Sequence, residues 1–269
     1  MQKILKVRFD YITLKEATET VMQWSQNSDQ KHITTPNPEI VLEAQKNKKF
    51  LKILNKSDLN IADGTGILWA SKFLKITEKS SKGMVLLKWI ISLILTPLFP
   101  SYIRTELPER VTGVDLMQNI CKEASKTNIK IFLLGAADNV AEKTKEILEK
   151  KYKGVKIVGT YAGSPKENEE KEIREIVKNS TADILFIAYG APAQEMWIHR
   201  NLQKMPNIKV AIGIGGSFDF ISGMRKRAPK WMQKIGIEWL YRLLQQPKRI
   251  IRIYRAIIKF PLKILKYRL

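Results

Sequence analysis

Two clusters of polar residues in the first quarter of the chain follow short apolar runs, at points where strands would end. Residues 32–34 lead into the sequence TPNPE at residues 35–39, and residues 59–62 lead into DGTG at residues 63–66. Asp63 could be a catalytic carboxylate, because it follows an apolar strand end and is not needed to form the turn. It could equally be the aspartate of an ordinary Asx-turn or a helix N-cap. The residues alone leave both interpretations open.

The first cluster has the features of a helix start. Asn37 can cap a helix, Pro38 fits its first turn, and Glu39 occupies an early position where acidic side chains are favourable. We predict that this helix covers residues 40–56. Both clusters would lie where strands lead into helices, which is where ligands bind in an open α/β sheet.

The rest of the chain alternates apolar runs with charged amphipathic segments. Continuous apolar runs at residues 130–135, 183–188 and 209–214 are typical of buried parallel strands, and helices are predicted between them. A further strand is predicted at residues 4–12. Because parallel strands need crossover connections, we predict an α/β fold with a mostly parallel, Rossmann-like sheet and helices on both faces.

Three further loops would reach the same edge of the sheet, at residues 135–137, 189–192 and 215–219. Five loops of small and polar residues at one edge predict a nucleotide-binding cleft, although each alone would be an ordinary turn. The chain has no GxGxxG motif after a strand and no P-loop motif, which disfavours those two classes of nucleotide site. Two histidines and the single Cys121 provide neither a His or Cys metal site nor an intramolecular disulfide.

The chain is strongly basic, with 47 Lys and Arg against 26 Asp and Glu and a formal net charge of +21. This charge predicts attraction to phosphates, nucleic acid or an anionic membrane surface, and does not choose among them. After residue 225 the only acid is Glu238, and from residue 250 apolar residues recur among the cations at helical spacing. Such a helix suits the surface of an anionic bilayer. Nucleic-acid binding, for which stacking aromatics are sparse, and a helix packed on its own domain are the alternatives.

These patterns predict two regions: an α/β catalytic domain at residues 1–224 and a basic helical, membrane-binding appendage at residues 225–269. The appendage would begin with a helix at residues 231–244. Within the first region, residues 84–99 read MVLLKWIISLILTPLF. The uninterrupted apolar part is shorter than the roughly 20 residues that a spanning helix needs. We interpret it as a segment at the membrane interface, with a buried core helix or a true span as alternatives.

Six motifs occur in an order that resembles the TagA/WecG/CpsF glycosyltransferases, from the first strand to about Arg249. They are TPNPE at 35–39, ADGTG at 62–66, ERVTGVDL at 109–116, YGAPAQE at 189–195, GGSFDFISG at 215–223 and RAPKW at 227–231. The resemblance implies inverting transfer from a UDP-sugar to an undecaprenyl-diphosphate-linked sugar. In the TagA-like branch, N-acetylmannosamine moves to lipid-linked N-acetylglucosamine for the wall teichoic acid linkage unit. No metal ion and no cofactor are implied, and self-association is possible.

The resemblance also implies roles for matching residues. Asp63 would be the general base, because an inverting transfer needs a carboxylate that takes the proton of the attacking hydroxyl. Thr35 would orient the substrate beside it, and Asn37 would bind the sugar or the acceptor. Arg110, Gln194 and the loop that contains Asp219 would line the donor site. Guanidinium groups pair bidentately with phosphate oxygens. Arg225 and Arg227 would therefore bind a diphosphate, either that of the donor or that of the lipid.

One departure from the family pattern is the segment at residues 72–108, which we interpret as a hydrophobic insertion that adds a membrane contact near the acceptor entrance. With no signal-peptide pattern at the N-terminus, the protein is expected to be peripheral, on the cytoplasmic face of the membrane. A family branch that uses another UDP-sugar for capsule or exopolysaccharide intermediates is the first alternative function. A basic nucleic-acid-binding α/β protein is the alternative from another class; the main interpretation implies no nucleic-acid partner.

Overall fold

A computed structural model describes residues 1–269. Its strands are β1 (Gln2–Ile4), β2 (Val7–Phe9), β3 (Lys31–Thr34), β4 (Leu59–Asn60), β5 (Lys130–Gly135), β6 (Lys156–Tyr161), β7 (Ile184–Ala188) and β8 (Val210–Gly213). The last six form one parallel sheet in the order β4-β3-β8-β7-β5-β6. This confirms the predicted parallel α/β architecture.

Fourteen α-helices surround or extend this sheet. They are α1 (Leu14–Trp24), α2 (Pro38–Ala44), α3 (Lys48–Lys56), α4 (Thr65–Ile76), α5 (Lys82–Leu98), α6 (Gly113–Ala124), α7 (Val140–Lys151), α8 (Glu170–Asn179), α9 (Ala193–Asn201), α10 (Ser217–Ile221), α11 (Lys230–Lys234), α12 (Glu238–Gln245), α13 (Ile250–Tyr254) and α14 (Phe260–Arg268). A π-helical turn, Arg255–Lys259, joins the last two.

The hydrophobic core covers both faces of the sheet. Ile131 and Leu133 of β5 pack in one cluster with α1, α6, α7 and α10, whereas Phe132 and Leu134 pack in another with α8 and α9. Successive side chains of a strand point to opposite faces, so a strand that is buried on both sides reads as a continuous apolar run. The apolar sequence of β5 is therefore explained by helices on both faces.

The predicted strand at residues 4–12 is instead the hairpin β1–β2, which is separate from the large sheet. Leu5 and Lys6 turn the chain, with φ angles of 47° and 68°. Positive φ at both central residues gives a two-residue turn the twist that a hairpin needs. Neither residue is glycine or asparagine, so the sequence carries no signal for this turn.

Two predicted helices are each interrupted. The helix predicted at residues 40–56 is α2 and α3, because Asn47 starts α3 by accepting a hydrogen bond from the Phe50 N–H at 3.0 Å. The helix predicted at residues 231–244 is α11 and α12, with Gly236 at φ 81° between them. A Cβ at Gly236 would lie 2.8 Å from the side chain of Thr65, so the chain can approach α4 here only as glycine.

The C-terminal segment from α13 to α14 packs on the domain along one side and faces solvent along the other. Phe260 and Ile264 are buried in a third core cluster with the hairpin and α2 to α5. The exposed side carries Ile251, Tyr254 and Leu262. None of the helices combines the length and the apolar composition that are needed to cross a membrane.

Candidate active site

A cavity of about 1070 Å³ opens at the carboxyl edge of the large sheet. Loops that follow β3, β4, β7 and β8 form its floor, and α5 and the C-terminal helices close its sides. Most of the sequence-predicted site residues line it: Thr35, Asn37, Asp63, Arg110, Gln194 and Arg225. The loop at residues 135–137 does not, contrary to prediction, because β5 lies one strand farther from the centre of the cavity than β7.

Asp63 lies in this cavity with its carboxylate free of hydrogen bonds and ion pairs within the chain, whereas its backbone N–H donates to the Pro36 carbonyl at 3.2 Å. Burial raises the pKa of Asp63 to about 6, and the positive charges of Arg110 and Arg242 oppose that rise. A carboxylate with such a pKa is ionised at neutral pH and is still basic enough to accept a proton from a positioned hydroxyl. Asp63 is therefore not an Asx-turn residue, and its free carboxylate can accept a proton from a ligand in the cavity.

The loop that contains Asp63 packs directly against the TPNPE loop. A Cβ at Gly66 would lie 2.8 Å from the ring of Pro38, so the two loops can be this close only with glycine at that position. Asn37 caps α2, since its Oδ1 accepts from the N–H groups of Glu39 and Ile40 at 3.0 and 3.1 Å. Thr35 is buried and donates to the Gly213 carbonyl at 3.1 Å. Asn37 and Thr35 thus both line the cavity and hold its floor together.

A buried acid connects Arg110 to the C-terminal helices. Glu238 accepts from Arg110 Nη1 at 3.4 Å and from Arg242 Nη2 at 2.6 Å, and it is only 7% exposed. Both arginines act on the pKa of Asp63. One side of the cavity is therefore built by residues of α12, which the sequence assigns to the appendage.

Arginine side chains from residue 225 onward line the same cavity. Arg225 pairs with Asp219 at 3.0 Å, and Arg252 pairs with Glu39 at 2.8 Å. Arg249 has no carboxylate within ion-pair distance, and burial together with repulsion from neighbouring arginines lowers its pKa to about 10. Guanidinium groups that repel one another in this way are suited to share an anionic ligand such as a diphosphate.

Asp219 and Arg227 do not line the cavity. Asp219 instead holds Arg225, which does. Arg227 forms a bidentate ion pair with Asp115, with N to O distances of 2.5 and 2.7 Å. Although burial acts to raise it, this pair and the Thr112 hydroxyl hold the pKa of Asp115 below its ordinary range. In this structure the guanidinium of Arg227 is therefore occupied by Asp115.

Gln194 connects two loops at the floor of the cavity. Its Oε1 accepts from the N–H groups of Gly190 and Gly215 at 3.0 and 3.1 Å, and its Nε2 donates to Glu195 Oε1 at 2.8 Å. The second oxygen of Glu195 is buried without a partner, and burial raises the pKa of Glu195 to about 7. Gln194 thus reaches the cavity while it joins the loops after β7 and β8.

The sequence patterns do not predict four of the residues that line the cavity, because a basic amphipathic C-terminal segment indicates a membrane surface: Glu238, Arg242, Arg249 and Arg252. Two signals were available. Arg249 and Arg252 are three residues apart, which places them on one face of a helical segment. The single acid among so many cations precedes Arg242 by four residues, at the spacing of a helical ion pair.

The sequence model for the glycosyl transferase WecG/TagA/CpsF family matches residues 2–94 and 98–269 of this chain. The match runs through nearly all of residues 72–108. The segment that contains α5 therefore lies almost wholly within the matched ranges.

Two curated relatives share the activity name N-acetylglucosaminyldiphosphoundecaprenol N-acetyl-beta-D-mannosaminyltransferase. The relative from Bacillus spizizenii is 32% identical over 235 residues, which cover 87% of this chain and 79% of that protein. A relative from Staphylococcus aureus is 31% identical over 265 residues, which cover 98% of this chain and 91% of that protein. The similarity therefore includes both the sheet and the C-terminal helices that close the cavity.

Proposed function

Because the chain belongs to the WecG/TagA/CpsF family of glycosyltransferases, we propose that it transfers N-acetylmannosamine from UDP-N-acetylmannosamine to undecaprenyl-diphosphate-linked N-acetylglucosamine. The acceptor and the transferred sugar follow from the activity name of its relatives. In the cell this reaction would serve synthesis of the wall teichoic acid linkage unit. The observation that carries the proposal is the free carboxylate of Asp63 in a cavity lined by arginines.

The reaction follows from these groups. Asp63 accepts the proton of the acceptor hydroxyl while the hydroxyl oxygen attacks the anomeric carbon of the donor sugar. The bond from that carbon to the UDP oxygen breaks on the opposite face, so the configuration inverts and UDP leaves with the bonding electrons. Arg249 and its neighbours stabilise the negative charge that develops on the diphosphate, because they are positioned before the reaction begins. Metal independence stays an expectation, which activity in excess EDTA would support.

The lipid-linked acceptor requires that the enzyme work at a membrane. The cavity has an apolar wall formed by Leu93 and Pro97 of α5 together with Ile257 and Pro261 of the C-terminal segment. The exposed side of that segment mixes apolar residues with lysines, which favours binding at the surface of an anionic bilayer. We place the protein peripherally on the cytoplasmic face, where UDP-sugars are available.

The test is transfer by the purified protein, measured as UDP release, with UDP-N-acetylmannosamine and a short-chain lipid-diphosphate-N-acetylglucosamine. UDP-N-acetylglucosamine and UDP-glucose serve as competing donors, because the residues that line a pocket do not by themselves fix which sugar fits it. We expect N-acetylmannosamine to be preferred, and Asp63→Ala to abolish turnover. Near-normal turnover in that variant would refute the assigned base, and preference for another donor would refute the assigned sugar.

A further inference from the structure

Helix α5 has one buried side and one exposed apolar side. Val85 and Ser92, two turns apart, are buried, and Trp89 and Leu93 pack beside them on the core. The opposite side carries large apolar residues, each between 43% and 64% exposed: Met84, Leu86, Leu87, Ile90, Ile91, Ile94 and Leu98. A contiguous exposed apolar surface of this kind marks an interaction site.

Lys88, which interrupts the apolar sequence, does not interrupt the apolar surface. Its ammonium group donates to the Ile76 carbonyl at 2.8 Å and to Ser80 Oγ at 3.0 Å, at the C-terminal end of α4. A cation is favourable there because the last carbonyl groups of a helix carry partial negative charge. The exposed side of α5 is therefore continuous, and the helix contains no acidic residue.

The chain holds this apolar side outward. Trp69 Nε1 donates to Ser92 Oγ at 2.9 Å, which fixes α5 on α4. Trp89 Nε1 donates to the Pro261 carbonyl at 3.1 Å, which fixes α5 on the C-terminal segment. Hydrogen bonds on the buried side thus set the rotation of the helix about its axis, and the apolar row cannot turn into the core without breaking them.

The charge around α5 identifies the partner. The neighbouring C-terminal segment exposes Ile258 and Leu262 among the exposed lysines Lys259, Lys263 and Lys266. Apolar side chains beside cations match the acyl region and headgroups of an anionic bilayer. A second copy of a chain with a net charge of +21 would be repelled from the same surface.

We propose that α5 is a membrane-docking helix in its own right, which lies in the interface of an anionic bilayer with the row from Leu87 to Leu98 inserted. This inference rests on the proposed function, because the bilayer is the source of the lipid-linked acceptor. Leu93 and Pro97 on the flank of α5 line the cavity, as do Ile257 and Pro261 opposite. Docking through α5 therefore sets the apolar wall of the cavity against the membrane, where the first isoprene units of the acceptor enter between the two helices.

The first test is partition of the full-length protein onto vesicles of equal parts phosphatidylglycerol and phosphatidylcholine. The triple variant Leu87→Ser/Ile91→Ser/Ile94→Ser should lower the partition coefficient at least about tenfold. The control Ile147→Ser/Val158→Ser removes exposed apolar residues from α7 and β6 and should change nothing. Equal partition of the triple variant and the wild type would overturn the proposal. Loss of a concentration-dependent dimer, with partition unchanged, would assign the surface to a second copy and would also overturn it.

The second test labels a cysteine introduced on α5. The native Cys121 is fully buried, so the introduced cysteine is the accessible thiol. Ile94→Cys with an environment-sensitive fluorophore should shift to the blue on vesicles and be quenched by doxyl-labelled lipid, whereas Ile147→Cys should do neither. A fluorophore at residue 94 that remains in water would contradict docking. Turnover of the short-chain acceptor without vesicles separates the docking proposal from the proposed function. The triple variant should retain this turnover. If the wild type showed none, the proposed function would be refuted, whereas the vesicle measurements would still test docking.

Discussion

Glu238 of the C-terminal helices and Arg110 of the α/β domain form a partly buried ion pair, with Arg110 Nη1 3.4 Å from Glu238 Oε2. The same carboxylate accepts from Arg242, so one acid orients two cations that influence Asp63. The C-terminal region therefore forms part of the cavity that contains Asp63. The boundary at residue 225 follows sequence composition, whereas residues from both regions line the cavity.

The first prediction concerns Glu238→Gln. The negative charge of Glu238 raises the pKa of Asp63, and its removal also frees Arg110 and Arg242 to favour the ionised carboxylate. The acidic limb of the pH profile of kcat/KM should therefore move to lower pH, while kcat falls about tenfold or more because the arginines lose their positions. The matched control is Glu123→Gln, which removes an exposed ion pair with Lys126. An unchanged acidic limb with reduced kcat would limit Glu238 to a structural role.

The sequence predicts the part of the cavity that follows strands β3 and β4, and does not predict the part that the C-terminal helices form. Asp63, Thr35 and Asn37 follow strands β3 and β4, whose apolar pattern is local and places them at the carboxyl edge. Glu238 and Arg249 could not be placed in the same way. Their positions depend on how far the C-terminal helices fold back, which is set by contacts far apart in the chain, such as Phe260 in the third core cluster.

The same distinction explains the errors in the fold. Alternation of apolar and charged segments predicts the parallel sheet, because burial on both faces leaves a continuous apolar run. The hairpin turn at Leu5 and Lys6 adopts positive φ without a glycine. Likewise, Gly236 interrupts a helix because it must approach Thr65, a contact that no local pattern reveals.

The second prediction concerns the proton equilibrium of Asp63. Its pKa is raised to about 6 in the folded protein from an ordinary value of 3.8, so the folded state binds this proton more tightly than the unfolded state does. The resulting stabilisation is complete below the unfolded pKa and is lost as pH rises through 6. Asp63→Asn should therefore raise the free energy of unfolding by on the order of 1–3 kcal/mol at pH 8 and by much less at pH 4, from the conversion of about 1.4 kcal/mol for each pKa unit.

Urea denaturation at the two pH values measures this difference, and kcat/KM of the wild type should fall below a pH of about 6 as the base is protonated. The exposed Asp29 offers a matched control, since Asp29→Asn should leave both profiles unchanged. If Asp63→Asn and the wild type had equal free energies of unfolding at pH 8, burial would not destabilise the ionised form of Asp63.

The third prediction concerns Arg249, the cavity arginine without a carboxylate partner. Arg249→Ala should weaken UDP binding roughly 10- to 100-fold, because a hydrogen bond to a charged group contributes about 1.5–3 kcal/mol. Arg249→Lys should recover part of the affinity, since lysine keeps the charge and loses the planar fork. Calorimetric titration with UDP measures the effect. The neighbouring exposed Lys248→Ala controls for net charge, and an equal loss of affinity there would reduce the role of Arg249 to long-range attraction.

The fourth prediction concerns Gln194, whose side chain joins the N–H groups of Gly190 and Gly215 and donates to Glu195. Gln194→Ala should lower the free energy of unfolding by about 1–3 kcal/mol, because two partly buried N–H groups lose their acceptor. It should also raise KM for the donor, since both loops that it joins line the cavity.

The neighbouring Glu195→Gln variant tests how the free energy of unfolding depends on pH. Burial raises the pKa of Glu195 to about 7 from 4.5, so the wild type loses stability as pH rises through 7. The variant, which has no proton to lose and can still accept from Gln194, should be more stable than the wild type at pH 9 and similar to it at pH 4. If the difference in stability between Glu195→Gln and the wild type did not change with pH, Glu195 would contribute through packing alone. Its negative charge would then not be needed to position Gln194, whose Oε1 also accepts from the N–H groups of Gly190 and Gly215.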